Sequence, residues 1–307
     1  MKVVFMGTPE FAISSLEALY ETGQEVVLVL SQPDKPKGRG YVMTPSPVKQ
    51  YALERSTPVI TPATLRDAEV QEMLRQTEAD LFIVTAYGKI LPREVLDMPK
   101  LGCVNVHASL LPALRGAAPI NRAIMNGDTV GGVTVMYMAD GVDTGDMILK
   151  KTVPISDTAD AQEYHDALAV AGKEALKEFL SLAENGTIPR EKQDDSLATY
   201  APKIENSDML IDFSVDAKSV YNRIRGLSPC PCSCCFIGGK RIKLRKARLA
   251  SGNGTPSTVI STDDGIEIAC GEGSVIIETL CCEGKSVCDA KSFLRGHKIE
   301  IGTVVNE

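Results

Sequence analysis

The chain has 307 residues, of which 44% are apolar, and a formal net charge of -7. This length suits two domains of ~150 residues, each with its own hydrophobic core. The sequence contains no run of 18 or more apolar residues, and its first residues, K-V-V-F-M-G, are typical of a buried strand rather than a signal peptide. We therefore expect a soluble cytoplasmic protein. Nine cysteines, an odd number in a chain of this kind, predict reduced thiols and no structural disulfides.

The first part of the chain alternates between predicted strands and helices. In chain order the strands are K-V-V-F-M (2–6), V-V-L-V-L (26–30), the apolar stretch around 80–85 and G-C-V-N-V (102–106). Such alternation predicts a Rossmann-like α/β fold with a mainly parallel sheet. The first turn, G-T-P-E-F, lacks the G-x-G-x-x-G fingerprint, so we expect no NAD. We also predict that Thr8 caps the first helix, with Pro9 at its first position.

Two further predicted strands, at 128–138 and 147–154, flank a D-G-V-D-T-G-D loop. A predicted helix at 159–184 then ends at Asn185-Gly186. We place the end of the first domain, 1–186, at this point. Residues 187–206 contain two prolines and lack clear periodicity, which predicts an extended linker.

The second predicted domain, 207–307, combines a short helix at 217–225 with short alternating segments separated by Gly, Asn and Asp. This pattern predicts a small β-barrel domain of the OB-fold type, an architecture that often binds nucleic acid. In K-R-I-K-L-R-K-A-R-L, Ile242 and Leu244 alternate with Arg241, Lys243 and Arg245. A strand with this alternation presents a basic stripe opposite an apolar one.

Charge is distributed unevenly along the chain. Residues 1–206 carry 20 Lys and Arg against 28 Asp and Glu, whereas residues 207–307 carry 13 against 12. The window 217–262 contains no acidic residue, and its basic residues are Lys218, Arg223, Arg225, Lys240, Arg241, Lys243, Arg245, Lys246 and Arg248. A solvated basic face is one interpretation, but the distribution favours a polyanionic partner.

Asn105 and His107 stand two residues apart at the end of a predicted strand, so both side chains can point to the same face. Ligands of open α/β sheets bind beyond the carboxyl ends of the strands, where these two residues lie. Asp143, in M-A-D-G-V-D-T-G-D, supplies a carboxylate. An amide donor, an imidazole and a carboxylate are the groups that acyl transfer to an amine requires. A lone N-x-H is more often structural, so this hypothesis depends on the surrounding sequence.

That surrounding sequence resembles the 10-formyltetrahydrofolate-dependent formyltransferase family. The matching strings extend over nearly the whole first domain and are F-M-G-T-P-E-F, Q-P-D-K-P-K-G-R-G, T-P-S-P-V-K, A-Y-G-K-I-L-P, N-V-H-A-S-L-L-P, R-G-A-A-P-I and D-T-G-D-M. Within the family, the basic second domain and the G-R-G loop resemble the members that act on methionyl initiator tRNA. The resemblance implies 10-formyltetrahydrofolate as formyl donor and this tRNA as partner. Apart from the resemblance, we expect no metal, no membrane association and a monomer.

The resemblance also implies roles for individual residues. Asn105 and His107 would donate hydrogen bonds to the oxyanion of the reaction. Asp143 would pair with His107, favour the imidazolium, and help to remove the proton of the attacking amine directly or through water. Two segments border the folate pocket in the family, and they correspond to Ser109, Leu110, Leu111, Pro112, Ile90 and Leu91. Their apolar character suits a flat pterin ring.

The segment from Gln32 to Lys49 is rich in Pro, Gly and basic residues, which predicts a mobile surface loop. A plain connector is the alternative. The resemblance implies that this loop approaches the acceptor stem of the tRNA, with Arg39 as the contacting residue. The basic stripe and the adjacent Lys240 give four further predicted tRNA-binding residues, Lys240, Arg241, Lys243 and Arg245. The sequence departs from the family next to the loop, because Tyr41 and Val42 replace expected lysines.

A second departure is the stretch L-S-P-C-P-C-S-C-C-F at 227–236, where the family has a proline-tryptophan-proline-glycine sequence. Its cysteines are Cys230, Cys232, Cys234 and Cys235. Their C-x-C-x-C-C spacing differs from the paired C-x2-C of structural zinc sites, so we expect unligated thiols.

Other functions remain open from the sequence. A formyltransferase acting on glycinamide ribonucleotide or an amino sugar, or a formyltetrahydrofolate hydrolase, would share Asn105, His107 and Asp143. A noncatalytic RNA-binding protein is the alternative from another class, and it would have a damaged catalytic set. The intact set and the basic second domain favour formyl transfer to tRNA.

Overall fold

The computed structural model describes residues 1–37 and 40–307 and contains two compact units. The first unit consists of residues 1–116, 130–154 and 165–200. The second consists of residues 117–129, 155–164 and 201–307. Residues 187–200, which we predicted to be part of a linker, therefore group with the first unit. Two segments of the predicted first domain, 117–129 and 155–164, in turn group with the second unit.

Helices and strands follow one another along the described residues. In chain order they are β1 (Lys2–Gly7), α1 (Phe11–Glu21), β2 (Glu25–Leu30), β3 (Lys35–Lys37), β4 (Val42–Thr44), α2 (Pro47–Leu53), β5 (Val59–Ile60), α3 (Ala68–Gln76), β6 (Leu81–Thr85), α4 (Arg93–Leu96), β7 (Cys103–His107), α5 (Pro119–Asn126), β8 (Val130–Tyr137), β9 (Met147–Pro154), α6 (Ala161–Glu184), α7 (Asn206–Met209), α8 (Ala217–Leu227), β10 (Ser233–Ile237), β11 (Lys240–Ala250), β12 (Val259–Ser261), β13 (Ile266–Ala269), β14 (Ser274–Cys282), β15 (Cys288–Asp289) and α9 (Ala290–Gly296). A single 3-10 turn occupies Asp195–Leu197.

The first unit is built around a sheet whose strand order, in the described part of the chain, is β5-β2-β1-β6-β7-β8-β9. The strands from β5 to β7 run parallel, and β8 and β9 are antiparallel additions. Val3, Val4, Phe5 and Met6 of the central strand β1 are fully buried. Burial on both faces explains the continuous apolar run of this strand. The predicted α/β fold with a mainly parallel sheet is confirmed.

The start of the first helix differs from the prediction. Helix α1 begins at Phe11, and its N-cap residue is Glu10 rather than Thr8. The Thr8 hydroxyl instead donates a hydrogen bond to the carbonyl oxygen of Tyr87, at 3.0 Å. Thr8 therefore links the loops that follow β1 and β6, and helix α1 has no side-chain cap.

The second unit contains an antiparallel sheet with the order β10-β11-β14-β13-β12 among the described residues, and β15 pairs with β14. Residues near the end of the chain connect its two edge strands. Val305 forms a bridge with Ile237 of β10, and Val304 forms one with Thr258, next to β12. The sheet thus curls until both edges meet the same segment. Its interior is the largest apolar cluster of the unit, with Phe213, Ile242 and Leu280 among its members.

Helices α5 and α8 pack closely within the second unit. The Asn121 side chain donates to the carbonyl oxygen of Gly226, at 2.7 Å, and a β-carbon on Gly226 would lie 2.7 Å from Met125 Cγ. Arg122 forms a two-fold hydrogen-bonded ion pair with Asp208, at 3.0 and 2.7 Å. Glycine at position 226 is therefore required by the helix contact.

Over residues 1–37 and 40–307, no helix is long and apolar enough to cross a membrane.

Candidate active site

Strand β7 places Asn105 and His107 at the carboxyl edge of the parallel sheet. In the register of the sheet Asn105 is paired with Val84 of β6, and His107 with Thr134 of the antiparallel strand β8. The two residues are separated by one position, so their side chains share a face of the strand. Among the described residues the Asn105 amide has no hydrogen-bond partner, and it is half-buried. A donor in this position is available to a ligand.

The imidazole of His107 is 6% exposed and has a neighbour at each nitrogen. Its Nε2 atom lies 3.0 Å from the carbonyl oxygen of Leu114, and its Nδ1 atom lies 3.5 Å from Oδ2 of Asp143. A carbonyl oxygen only accepts hydrogen bonds, so Nε2 carries a proton in this arrangement. The structure therefore brings together the histidine and the carboxylate that the sequence analysis paired.

Asp143 is held by the backbone around it. Its Oδ2 atom accepts a hydrogen bond from the N–H of Gly116, at 2.8 Å, and its own φ is +54°. This left-handed conformation is costly for a residue with a side chain, so surrounding contacts must maintain it. Two residues later, a β-carbon on Gly145 would clash with the carbonyl oxygen of Tyr137. The glycine of the D-T-G sequence is therefore required by packing.

Arg115 and Gln193 lie beside this site, although the sequence analysis assigned neither of them a role. Both are buried, and the amide oxygen of Gln193 accepts two hydrogen bonds from the Arg115 guanidinium, at 3.1 and 2.8 Å. Arg115 belongs to the R-G-A-A-P string, which marked it only as part of the resemblance. Gln193 lies in a stretch without periodicity, so the sequence pattern offered no signal for it.

The segment after β7 is fixed to β8 by hydrogen bonds. The Thr134 hydroxyl donates to the carbonyl oxygen of Ser109, at 2.7 Å, and accepts from the N–H of Leu111, at 3.0 Å. The Ser109 hydroxyl in turn donates to the carbonyl oxygen of Ala113, at 2.6 Å. These contacts give the S-L-L-P segment a defined shape at the carboxyl edge of the sheet.

The predicted folate-binding residues differ in how much surface they offer. Leu111 is buried against Met136 and Met147, and Leu91 is buried in the core of the first unit. Ile90 is 82% exposed, and Leu110 and Pro112 are half-buried. The loops that carry these residues follow β6 and β7, which are neighbours in the sheet. Ile90, Leu110 and Pro112 therefore offer apolar surface, whereas Leu91 and Leu111 support it from beneath.

Tyr87 lies at the same edge of the sheet and is buried. Its backbone carbonyl oxygen accepts hydrogen bonds from Thr8 and from the side-chain amide of Gln32, both at 3.0 Å. Burial raises the pKa of its hydroxyl to about 12, so the phenol stays neutral at physiological pH. The loops after β1, β2 and β6 thus converge on one residue.

The predicted basic stripe lies on strand β11. Ile242 and Leu244 are buried in the core, whereas Lys240 is exposed and Arg241 and Lys243 are half-buried. In the described part of the chain these three cations form no ion pair. Arg245 is less available, because its Nη1 atom donates to the carbonyl oxygen of Pro229.

Other cations of the acid-free window have partners outside it. Lys246 and Arg248 both pair with Glu278, at 3.9 and 3.5 Å, and Arg223 pairs with Asp208, at 3.4 Å. Arg225 is buried and donates to backbone carbonyl oxygens. The positive surface of the window is therefore narrower than the sequence suggests, and it centres on Lys240, Arg241 and Lys243.

Within the segment from Gln32 to Lys49, strands β3 and β4 pair antiparallel, and α2 begins at Pro47. An ion pair between Lys49 and Asp34, at 2.8 Å, joins the two ends of the segment. Tyr41 is 79% exposed. Arg39, the residue predicted to contact tRNA, lies outside the described residues.

The cysteine-rich stretch contributes mainly to packing. Cys232, Cys234 and Cys235 are buried, and Cys230 is exposed. Burial raises the pKa of the Cys232 and Cys235 thiols above its ordinary value. Within the described ranges no three His, Cys, Asp or Glu side chains are grouped so that they would hold a metal ion.

Comparison with known proteins gives matches to two family profiles along the chain. A family profile described as formyl transferase matches residues 1–180, and one described as formyl transferase, C-terminal domain, matches residues 203–298. The chain is 47% identical over 308 residues to the methionyl-tRNA formyltransferase of Geotalea uraniireducens (strain Rf4), covering 100% of this chain and 98% of the relative. It is 44% identical over 307 residues to that of Ruminiclostridium cellulolyticum, covering 98% of each.

Solved structures share the fold at much lower identity. A methionyl-tRNA formyltransferase from Clostridium thermocellum matches with a TM-score of 0.57 and 18% identity, over 82% of this chain and 95% of that one. An N-formyltransferase from Helicobacter canadensis, solved with folinic acid and dTDP-3-aminofucose, matches with a TM-score of 0.70 and 20% identity, over 90% and 98%. These likenesses concern the fold alone.

Proposed function

Because this chain belongs to the methionyl-tRNA formyltransferase family, we propose that it transfers the formyl group of 10-formyltetrahydrofolate to the α-amino group of methionyl initiator tRNA. The product, N-formylmethionyl-tRNA, serves translation initiation in the cytoplasm. The observation that carries formyl transfer is the proximity of His107 and Asp143, with Asn105 on the same strand face. A damaged catalytic set, as a noncatalytic RNA-binding protein would have, does not fit these contacts.

The reaction forms a bond between the amine nitrogen and the formyl carbon and breaks the bond from that carbon to the folate nitrogen. Attack by the amine places negative charge on the formyl oxygen, and hydrogen-bond donors stabilise that charge. We assign this role to the Asn105 amide and to His107. The proton on Nε2 of His107 faces Leu114 in the structure, so the substrate oxygen must replace that carbonyl as its acceptor. The amine proton leaves towards Asp143, directly or through water, and ends on the folate nitrogen.

The donor binds, in this proposal, to the loops that follow β6 and β7. Ile90, Leu110 and Pro112 supply apolar surface for the pterin ring, and the hydrogen bonds of Thr134 keep the Ser109–Pro112 segment in place. Pre-formed apolar surface with few polar groups is typical of small-molecule sites. Both loops emerge at the carboxyl edge of the sheet, where Asn105 and His107 lie.

In this proposal the tRNA is bound by cations of strand β11 and by Arg39. Lys240, Arg241 and Lys243 supply the cations for phosphate contacts, with Arg245 in a lesser role because of its backbone contact. Arg39, which lies between β3 and β4 in the sequence, contacts the acceptor end. Formyltransferases acting on glycinamide ribonucleotide or an amino sugar need neither feature, so the basic stripe favours a tRNA acceptor.

The direct test is a formylation assay with purified protein, 10-formyltetrahydrofolate and methionine-charged initiator tRNA. We expect formylmethionine on the initiator tRNA, and much slower transfer to methionine-charged elongator tRNA. Glycinamide ribonucleotide and a nucleotide-linked amino sugar serve as competing acceptors. Faster transfer to either small amine, or release of formate without an acceptor at the same rate, would contradict the proposal.

A further inference from the structure

Gln193 uses both ends of its side-chain amide in the first unit, and the residue is 6% exposed. Its Nε2 atom donates to the carbonyl oxygens of Asp143, at 2.8 Å, and Gly145, at 2.7 Å. Its Oε1 atom accepts from Nε and Nη2 of Arg115, at 3.1 and 2.8 Å. An amide has two N–H donors and two acceptor positions, so all of its capacity is used. Turning the amide over would place like groups opposite each other at all four contacts.

The other partner of this interaction, Arg115, sits between the two backbone groups that contact the site. Leu114 accepts a hydrogen bond from Nε2 of His107, and the N–H of Gly116 donates to Oδ2 of Asp143. Residues 114–116 therefore contact both members of the catalytic pair. The buried Arg115 guanidinium also pairs with Asp195, at 2.7 Å.

The backbone of residues 114 and 115 is anchored to the same stretch that carries Gln193. The N–H of Arg115 donates to the carbonyl oxygen of Thr199, and the N–H of Leu114 donates to its hydroxyl, both at 2.9 Å. Gln193 and Thr199 thus belong to one segment that forms hydrogen bonds with residues 114–115 through both side chains and backbone. That segment, 187–200, groups with the first unit.

We propose that Gln193 is a positioning residue for formyl transfer, which joins the 143–145 loop to residues 114–116 and so fixes the Asp143 carboxylate against His107. This inference rests on the proposed function. We call the hydrogen bonds of Gln193 to Arg115 and to the 143–145 loop the brace. The φ of Asp143 is +54°, and the brace maintains this strained left-handed conformation. Gln193 itself touches neither substrate nor the reacting atoms, so it acts through Asp143.

The brace has a quantitative consequence for catalysis. Misplacement of a catalytic group by ~1 Å can cost ~100-fold in rate, whereas ground-state binding of substrates elsewhere is unaffected. Loss of the Gln193 hydrogen bonds should therefore lower kcat and leave KM for the folate donor and for tRNA nearly unchanged. The pH dependence of kcat should change as well, because His107 and Asp143 no longer hold a fixed separation.

The test compares Gln193→Met with Gln24→Met. Methionine keeps the size of the side chain and removes its hydrogen bonds. Gln24 is a matched control because it is also 6% exposed and hydrogen-bonded at both ends of its amide, to the N-terminal amine and Glu184, away from the site. We expect kcat to fall at least about 10-fold in Gln193→Met, with each KM within about 3-fold, and to stay at the wild-type value in Gln24→Met.

A second variant separates the two ends of the amide. Gln193→Glu retains an acceptor for Arg115 but turns an oxygen towards the carbonyl oxygens of Asp143 and Gly145, so it releases the 143–145 loop specifically. We expect the same loss of kcat. If Gln193→Met and Gln193→Glu both fail to fold, Gln193 is a determinant of the fold, and the positioning role is wrong.

NMR spectroscopy can detect a change in the surroundings of His107 without any substrate. The chain has 3 histidines, so side-chain 15N NMR signals can be assigned by substitution. The His107 signals should move in both Gln193 variants and stay in place in Gln24→Met, while those of His165 and His297 serve as internal references. Unchanged His107 signals, or a wild-type kcat with a wild-type pH profile, would overturn the inference. A wild-type protein that formylates no tRNA would instead refute the proposed function, and the NMR comparison would still test the brace.

Discussion

The Nδ1 atom of His107 lies 3.5 Å from Oδ2 of Asp143, beyond the usual range of a direct N–H···O hydrogen bond. The carboxylate oxygen that faces the ring is already bonded to the N–H of Gly116. Asp143 therefore acts on the imidazole mainly through its charge, at a distance that backbone contacts set. This arrangement makes the charge and the position of Asp143 separately testable.

Asp143→Asn removes the negative charge of the side chain and keeps its shape. The amide oxygen can still accept from Gly116, so the loop should keep its conformation, but the support for a positively charged His107 is lost. We expect kcat to fall by at least about 10-fold and its pH dependence to change, with folate binding retained. Steady-state kinetics across pH provide the measurement. A rate and pH profile like those of the wild type would assign the carboxylate another role.

Removing the proposed oxyanion donors should have a larger effect. Asn105→Ala and His107→Ala should each reduce turnover by at least about 100-fold, because a lost oxyanion donor costs 10²–10³ in rate. Circular dichroism and tRNA binding should remain close to the wild type in both variants. Near-normal turnover of either purified variant would be incompatible with the proposed site.

The basic stripe predicts salt-dependent binding of tRNA. Changing Lys240, Arg241 and Lys243 together to Gln should weaken tRNA binding and reduce the slope of log affinity against log salt, by about one for each phosphate that is no longer neutralised. Lys246→Gln with Arg248→Gln is the matched control on the same strand, because Glu278 already pairs with both cations. If the two sets weaken tRNA binding equally, the position of a cation on β11 does not affect tRNA affinity.

Point substitutions are preferable here to deletion of residues 207–307. Asn121 and Arg122, which precede that region in the chain, have their partners Gly226 and Asp208 within it. A truncated chain would leave Asn121 and Arg122 without these partners, so its tRNA affinity would report on damaged structure as well as on missing cations.

Substitution of Arg39 tests the proposed contact with the acceptor end of the tRNA. Arg39→Ala should strongly depress kcat/KM for initiator tRNA and leave folate binding unchanged, because the loss concerns the acceptor and not the donor. Tyr41 and Val42 replace expected lysines, so little local charge remains to compensate. A minimal amine acceptor is the control and should react at the wild-type rate. Impaired folate binding in Arg39→Ala would mean that the loop serves the other ligand.

Stability of the second unit should depend on pH through Asp208. The Arg122 guanidinium holds the pKa of Asp208 below its ordinary value. The ion pair therefore stabilises the fold above the pKa of an unfolded aspartate, about 3.9, and this contribution disappears as pH falls through the lowered value. Asp208→Asn should reduce the free energy of unfolding by about 2 kcal/mol at pH 7. Urea titrations should show the difference narrowing below pH 4; a difference that is constant with pH would exclude the charge as its cause.

Much of the fold is predictable because burial leaves a clear pattern in the sequence. The run Val3–Met6 is apolar because β1 is covered on both faces, and Ile242 and Leu244 alternate with cations because β11 has one face in the core. The pairing of His107 with Asp143 was implied by the family resemblance of the sequences around them. The prediction that Thr8 caps the first helix was wrong, because a tertiary contact with Tyr87 outweighs its local capping preference.

Gln193 shows what such patterns cannot reveal. It lies among polar residues without periodicity, and its burial results from long-range hydrogen bonds to Arg115 and the 143–145 loop. The charges of the acid-free window were likewise misleading, because the carboxylate of Glu278 reaches Lys246 and Arg248 from a neighbouring strand. Neither relationship depends on residues that are close in sequence.

The hydrogen bond between Asn121 and Gly226 joins residues that are 105 positions apart. When the chain is synthesised, helix α5 leaves the ribosome long before α8 exists, and its apolar residue Met125 lacks its neighbour Gly226 during that interval. Exposed apolar surface in incomplete chains promotes aggregation and recruits chaperones. Substitutions where these two helices pack should therefore lower the yield of folded protein in the cell while the molecules that do fold retain their turnover.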